Sequence, residues 1–195
     1  YLGIVLGVLA LQRKDKLTFW TSPSLSSFAY GAEQLIAEST GKEGKGILPI
    51  VGETPAPPDA YGSDRLFVFI GLGGAYEKPR ADALVRAGHP VVEIVLPDRF
   101  DLGAQYFQWE IATAVACHVL SVNPFDQPNV EAAKKAAREM MAVYRKAGAF
   151  PPEQPDAAFG DIAVYGAAGA KSPGAALSSF LNRAAGGSYA AIMAY

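Results

Sequence analysis

RLFVFIGLGGAYEKPRADALVRAGHPVVEIVLP, running from Arg65 to Pro97, is the stretch that decides the fold. It opens on a near-continuous apolar run, Arg65 to Leu72, crosses a glycine turn and a helix-period segment, Glu77 to Ala87, and closes on a second apolar run, Pro90 to Pro97. Strands covered on both faces read as unbroken apolar runs because neither face meets water. Two such strands joined by a helix form a parallel pair, since a parallel partner can be reached only by a crossover connection.

Outward from this unit the alternation continues. LTFWTS (Leu17 to Ser22), DIAVYG (Asp161 to Gly166) and YAAIMAY (Tyr189 to Tyr195) have strand character. Ser27 to Ser39, Leu102 to Val122, Pro128 to Ala147 and Pro173 to Ala185 have helix period, the last with Ser172 as its cap. The pattern predicts an α/β fold: a three-layer, doubly wound, mainly parallel sheet with helices on both faces. GETPAPPDAYGSD (Gly52 to Asp64) and FPPEQPD (Phe150 to Asp156) read as loops, because proline neither donates to a ladder nor continues a helix. The length favours a single domain over residues 1–195, with Phe150 to Asp156 as the one candidate internal boundary.

The opening YLGIVLGVLAL lacks a basic leader and a cleavage site and is too short to span a bilayer, so it is expected to be a buried helix. Half of the 195 residues are hydrophobic, enough for a substantial core. Seventeen Lys and Arg against 19 Asp and Glu give a formal charge of −2, which offers no basic field for nucleic acid. The single cysteine, Cys117, excludes an intramolecular disulfide framework and points to a reducing, cytoplasmic setting, with Cys117 itself a core residue. His89 and His118 stand too far apart in sequence to suggest a metal cluster. GLGGAYEKP lacks both the phosphate-loop ending and the dinucleotide spacing.

Two segments carry candidate chemistry. Gln34 and Glu38 lie four apart on one predicted helix and share a face. Glu38 stands near the helix end, before TGKEGKG with its two lysines, where it is placed to serve as a general base; a solvated glutamate beside two surface lysines reads the same way. In NPFDQPNVEAAK, Pro124 and Pro128 bracket a turn, and Gln127 and Lys134, seven apart, point the same way on the following helix. An amide and an ammonium on one edge suit the oxygens of a sugar, while an ordinary amphipathic helix with solvated cations is the alternative. Ser22 to Ser27 either cradle a phosphate or cap the helix, with Ser26 or Ser27 as the capping residue. Glu110 and His118, eight apart in an apolar helix, read as a buried structural pair. His89, ahead of a strand, lies at the wrong end for a ligand site.

QLIAESTGKEGKGI (Gln34 to Ile47) and VNPFDQPNVEAAK (Val122 to Lys134) together resemble the glucose-6-phosphate isomerase family, in its order and at a similar separation. The likeness extends from about Lys16 to Met141 and is strongest to the isomerase part of bifunctional transaldolase/glucose-6-phosphate isomerases. It implies the second sugar isomerase (SIS) domain of such an enzyme, in which glucose 6-phosphate and fructose 6-phosphate interconvert through a cis-enediol. By that likeness Glu38 is the base, Gln34 and Gln127 bind the sugar, and Lys134 stands near the ring oxygen during ring opening. Neither a metal nor an organic cofactor is implied. The first SIS domain has no counterpart here, and Ile47 to Arg86 contains no histidine to assist ring opening. The chain is therefore expected to be a fragment of a longer isomerase, inactive alone. Its expected partners are the sugar phosphate, the missing first SIS domain, a transaldolase domain of the same chain, and a second copy in a homo-oligomer, with neither nucleic acid nor membrane among them. The alternative is a non-catalytic sugar-phosphate-binding module, which would need contacts but no base.

Overall fold

A computed structural model describes residues 1–167, 169–185, 188–190 and 192. The chain forms two compact units, Tyr1–Lys134 and Lys135–Tyr195. In the first, β1 (Lys16–Thr21), β2 (Leu48–Val51), β3 (Arg65–Leu72) and β4 (Val91–Leu96) make an all-parallel sheet in the order β2-β1-β3-β4. This is the flavodoxin-like doubly wound order, in which the chain first steps to one side of β1 and then returns to build on the other.

Strand alternation sorts the core into two faces. Leu17, Phe19, Leu66, Val68 and Ile70 face one way, toward α2 (Ser26–Thr40) and α4 (Asp101–Leu120), where the Trp109 ring lies 5.0 Å from that of Phe19. Phe67 and Phe69 face the other way, with Trp20, toward Ala81 and Leu84 of α3 (Lys78–Arg86). His89 belongs to this second face, its ring edge-on to Phe67 and its Nε2 3.1 Å from the Pro58 carbonyl, a packing role.

α1 (Leu2–Leu11) is only half buried, contrary to the expectation of a buried helix. Gly3, Leu6 and Gly7 form its inner stripe, while Ile4 and Leu11 are 52% and 60% exposed. The glycines explain the docking: a Cβ at Gly3 would lie 2.4 Å from the Ala112 carbonyl oxygen, and one at Gly7 2.6 Å from Val119 Cβ. The two helices approach at distances that only glycine permits.

Three further expectations change, and one falls mostly outside the described residues. β2, with the short sequence LPIV, was absent from the predicted strands. The DIAVYG strand does not join the main sheet: β6 (Ile162–Val164) pairs antiparallel with β5 (Ala157–Phe159) in a separate hairpin. Most of the YAAIMAY strand, residues 191 and 193–195, lies outside the described residues. The serines after β1 do not cap α2, which is preceded by a 3-10 turn, Pro23–Leu25, and has no side-chain cap. Ser22 instead ties β1 to the end of β3, accepting from the Leu72 amide (2.8 Å) and donating to the Ala75 carbonyl (2.9 Å).

α5 (Pro128–Ala147) has the predicted boundaries and buries no residue; the division between units falls within it. In the second unit, α6 (Pro173–Leu181) is capped as expected, the Ser172 hydroxyl accepting from the Ala175 amide at 3.1 Å. Among the described residues no helix is long and apolar enough to cross a membrane.

Candidate active site

The topology brings two distant segments together. α2 follows β1 and α4 follows β4, and both pack on the same face of the sheet. Helices that return antiparallel to parallel strands must end at the same edge, the one where strands begin. The turn after α2 and the link after α4 therefore meet, although some eighty residues separate them along the chain.

The turn itself is closed by its own residues. Thr40 is buried, its hydroxyl donating to the Ile36 carbonyl (2.7 Å) and accepting from the Ile47 amide (2.9 Å). Between them Lys42 and Lys45 pair across Glu43 and Gly44, both at positive φ (57° and 70°) as in a type I′ turn. Residues flanking such a turn sit opposite each other, so both lysines project the same way. Two facing cations would repel, but each is drawn into carbonyl oxygens. Lys45 Nζ donates to the Leu120 carbonyl at 2.9 Å, at the negative end of α4. Lys42 Nζ donates to the Asn123 carbonyl (2.6 Å), to Asp126 Oδ1 (2.9 Å) and to the Asp126 carbonyl. Lys42 is 6% exposed, so the reading of two solvated surface lysines fails for it. Nothing local in TGKEGKG distinguishes a buried lysine from a solvated one; only the second motif supplies its acceptors.

Three of the four predicted site residues converge beside this anchor. Gln34 Nε2 donates to Glu38 Oε1 at 3.1 Å, as expected one turn apart, and Gln127 Nε2 donates to Glu38 Oε2 at 3.3 Å. The partly exposed carboxylate is thus held between two amides from separate segments. On one side lies a hollow of about 230 Å³ bounded by Glu38, Lys42, Gln127 and Asn129. On the other is a hollow of about 250 Å³ bounded by Gln34, Glu38, Ser39 and Gln127. A carboxylate offers about four lone-pair positions and the two amides use two, so Glu38 retains positions for a further hydrogen-bond donor.

Lys134 stands apart from this group. It is exposed on α5, its ammonium paired with Glu131 at 3.0 Å, and it lines neither hollow. Glu110 and His118 are both exposed, which overturns the reading of a buried pair. Cys117 is a core residue as expected: burial pushes its thiol pKa up, and its Sγ donates to the Ser39 carbonyl at 3.4 Å. Among the described residues no group of His, Cys, Asp and Glu could hold a metal ion.

The convergence does not lie where the topology alone would put a ligand. Open α/β sheets bind outside the carboxyl ends of their strands, at the switch point. Here that crevice, between β1 and β3, holds the Ser22 bonds, and Glu38 stands at the opposite edge. The rule used to set His89 aside would have removed Glu38 as well. A larger hollow, about 630 Å³, lies between Pro55–Pro58 and α3, but its charged groups Glu77 and Arg80 are paired with each other.

No family model matches the chain. A protein of Leptospira interrogans named glucose-6-phosphate isomerase is 32% identical, in an alignment taking in 65% of this chain and 37% of that protein. Proteins of the same name from Heliobacterium modesticaldum and Streptococcus pyogenes are 31% and 29% identical, each over 65% of this chain and 36% of the relative. The chain therefore spans a little over a third of the length of these relatives. These similarities support a relationship to the glucose-6-phosphate isomerases. Among solved structures, a hypothetical protein from Thermus thermophilus superimposes with a TM-score of 0.59 at 21% identity, covering 72% of this chain and 44% of that one. That likeness concerns the fold alone.

Proposed function

We propose that the chain is a sugar isomerase domain of a glucose-6-phosphate isomerase and carries the base of that enzyme, Glu38. The observation that carries the reading is the meeting of Gln34, Glu38 and Gln127 at one partly exposed carboxylate bordered by two hollows. The similarity to proteins of that name supports it independently.

Aldose–ketose exchange needs one group that takes a proton and gives it back. In this reading Glu38 removes the proton from C2 of the open-chain aldose. The electron pair forms the C1–C2 double bond, and the C1 oxygen gains a proton to give the cis-enediol. Delivery of the proton from Glu38 to C1, with loss of the proton on the C2 oxygen, leaves the ketone. Gln34 and Gln127 exchange their bonds to Glu38 for bonds to sugar hydroxyls. Lys134 serves ring opening, which requires its ammonium to leave Glu131. The rest of the active site comes from a first SIS domain in a longer chain, to which a transaldolase domain is fused, acting in the cytoplasm as a homo-oligomer.

One observation favours a second reading, a non-catalytic sugar-phosphate-binding module: Lys134 lines neither hollow beside Glu38. The full-length protein carrying this chain separates the two. Formation of fructose 6-phosphate from glucose 6-phosphate, abolished by Glu38→Gln, is the isomerase result; binding of both sugar phosphates without conversion is the module result.

A further inference from the structure

Of the side chains that tie the two segments of the site, Lys42 is the most deeply buried. Lys42 lies four residues beyond Glu38 and ends on Asn123 and Asp126, the latter adjacent to Gln127. An ammonium has three protons and accepts nothing. Here three oxygens receive them, the Asn123 carbonyl, the Asp126 carbonyl and Asp126 Oδ1, so none remains for a ligand. The side chain is 4% exposed, and a charge so buried is retained only where its partners are fixed.

The surroundings show what the tie controls. α5 buries no residue and only Val130 of its first turn is half-buried, so packing holds the start of that helix weakly, and Gln127 is itself exposed. Upstream, Lys45 secures the end of α4 through the Leu120 carbonyl. Lys45 also reaches the Ser121 carbonyl at 3.4 Å; beyond it, Lys42 joins the segment leading into Gln127 to the turn that follows Glu38.

We propose that Lys42 is a positioning residue that holds the Gln127 amide against the Glu38 carboxylate. For its meaning in catalysis this rests on the isomerase reading; for the geometry it does not. Misplacing a group by about 1 Å in an active site costs on the order of a hundredfold in rate, so a tether that places a sugar-binding amide acts on turnover as well as on substrate affinity.

The test has two arms. In the first, the 195-residue chain is labelled with nitrogen-15 and the Gln127 side-chain amide signal is assigned by its loss in Gln127→Leu. Lys42→Met is expected to move this signal as Glu38→Gln does, whereas Lys45→Met leaves it in place. Should Lys42→Met not fold, Asp126→Ala, at a half-exposed side chain, removes one leg of the tether and is expected to move the same signal. An unmoved Gln127 signal overturns the proposal. In the second arm, isomerase kcat/KM in the full-length protein is expected to fall about 10- to 100-fold in Lys42→Met, with kcat lowered and KM raised no more than in Gln127→Leu. Combined with Gln127→Leu, it should add nothing further. Additive losses, or a rise in KM alone, overturn the catalytic role. If the unaltered protein does not isomerise sugar phosphates, the isomerase reading fails while the amide signal still decides the tether.

Discussion

The docking of α1 on α4 makes opposite predictions for the same substitution at two glycines. In Gly3→Ala the new methyl would sit 2.4 Å from the Ala112 carbonyl oxygen and 2.7 Å from Val115 Cβ. A backbone oxygen cannot rotate away, so α1 must lift from α4. Overpacking of this kind costs about 1–3 kcal/mol. Full loss of the contact would expose Leu6, now 2% exposed, at about 1.5–3 kcal/mol, and Leu2 and Leu9 besides, so partial lifting is the cheaper response. Alanine returns up to about 1 kcal/mol through its helix propensity, less in the first turn, so a net destabilisation of about 1–2 kcal/mol is expected. Gly103 occupies a similar place in the first turn of α4, but a Cβ there meets nothing within 4 Å. Gly103→Ala should therefore stabilise, by up to about 0.5 kcal/mol, below the mid-helix value. Urea unfolding followed by tryptophan fluorescence reads both, because Trp109 lies in the core of the first unit. The reasoning fails if Gly3→Ala is as stable as the unaltered chain, or if the two variants shift the midpoint the same way.

Two further outcomes follow from buried groups. Cys117 is sealed in the core with its thiol pKa raised by burial, so a thiol reagent at pH 8 should react only at the rate of unfolding, and native-rate labelling would contradict the packing. The sign is fixed: the unfolded chain loses this proton first, so stability falls as pH rises past the ordinary thiol range. Thr113 is 2% exposed and its hydroxyl has no hydrogen-bond partner among the described residues, so Thr113→Val should be neutral or stabilising by up to about 1 kcal/mol; a loss above that, in the same urea assay, would mean the hydroxyl is satisfied.

How much of this was legible in the sequence depended on whether a signal was local. β3 has the predicted bounds, Arg65–Leu72, because it is apolar throughout and covered on both faces. β2 escaped because LPIV is four residues long, carries a proline and follows a glycine turn. The hairpin of β5 and β6 has the apolar character of a core strand, and composition does not state which partner a strand takes. The apolar run of α1 concealed a one-sided helix, since Ile4 and Leu11 face out and glycines face in. At the site, the Gln34 bond to Glu38 was readable from a spacing of four. The Gln127 bond spans 89 residues and was reachable only through the resemblance. Lys42 was misread because its burial is a property of the assembled edge rather than of its own loop.

The central claim, that Glu38 is the proton-transferring group, is tested most directly by incubating the full-length protein with glucose 6-phosphate in deuterium oxide and measuring label at C2. The unaltered protein is expected to incorporate label and Glu38→Gln to lose about 10²- to 10⁴-fold of that rate, with sugar-phosphate affinity nearly retained. Exchange at C2 continuing in Glu38→Gln at close to the unaltered rate would contradict it.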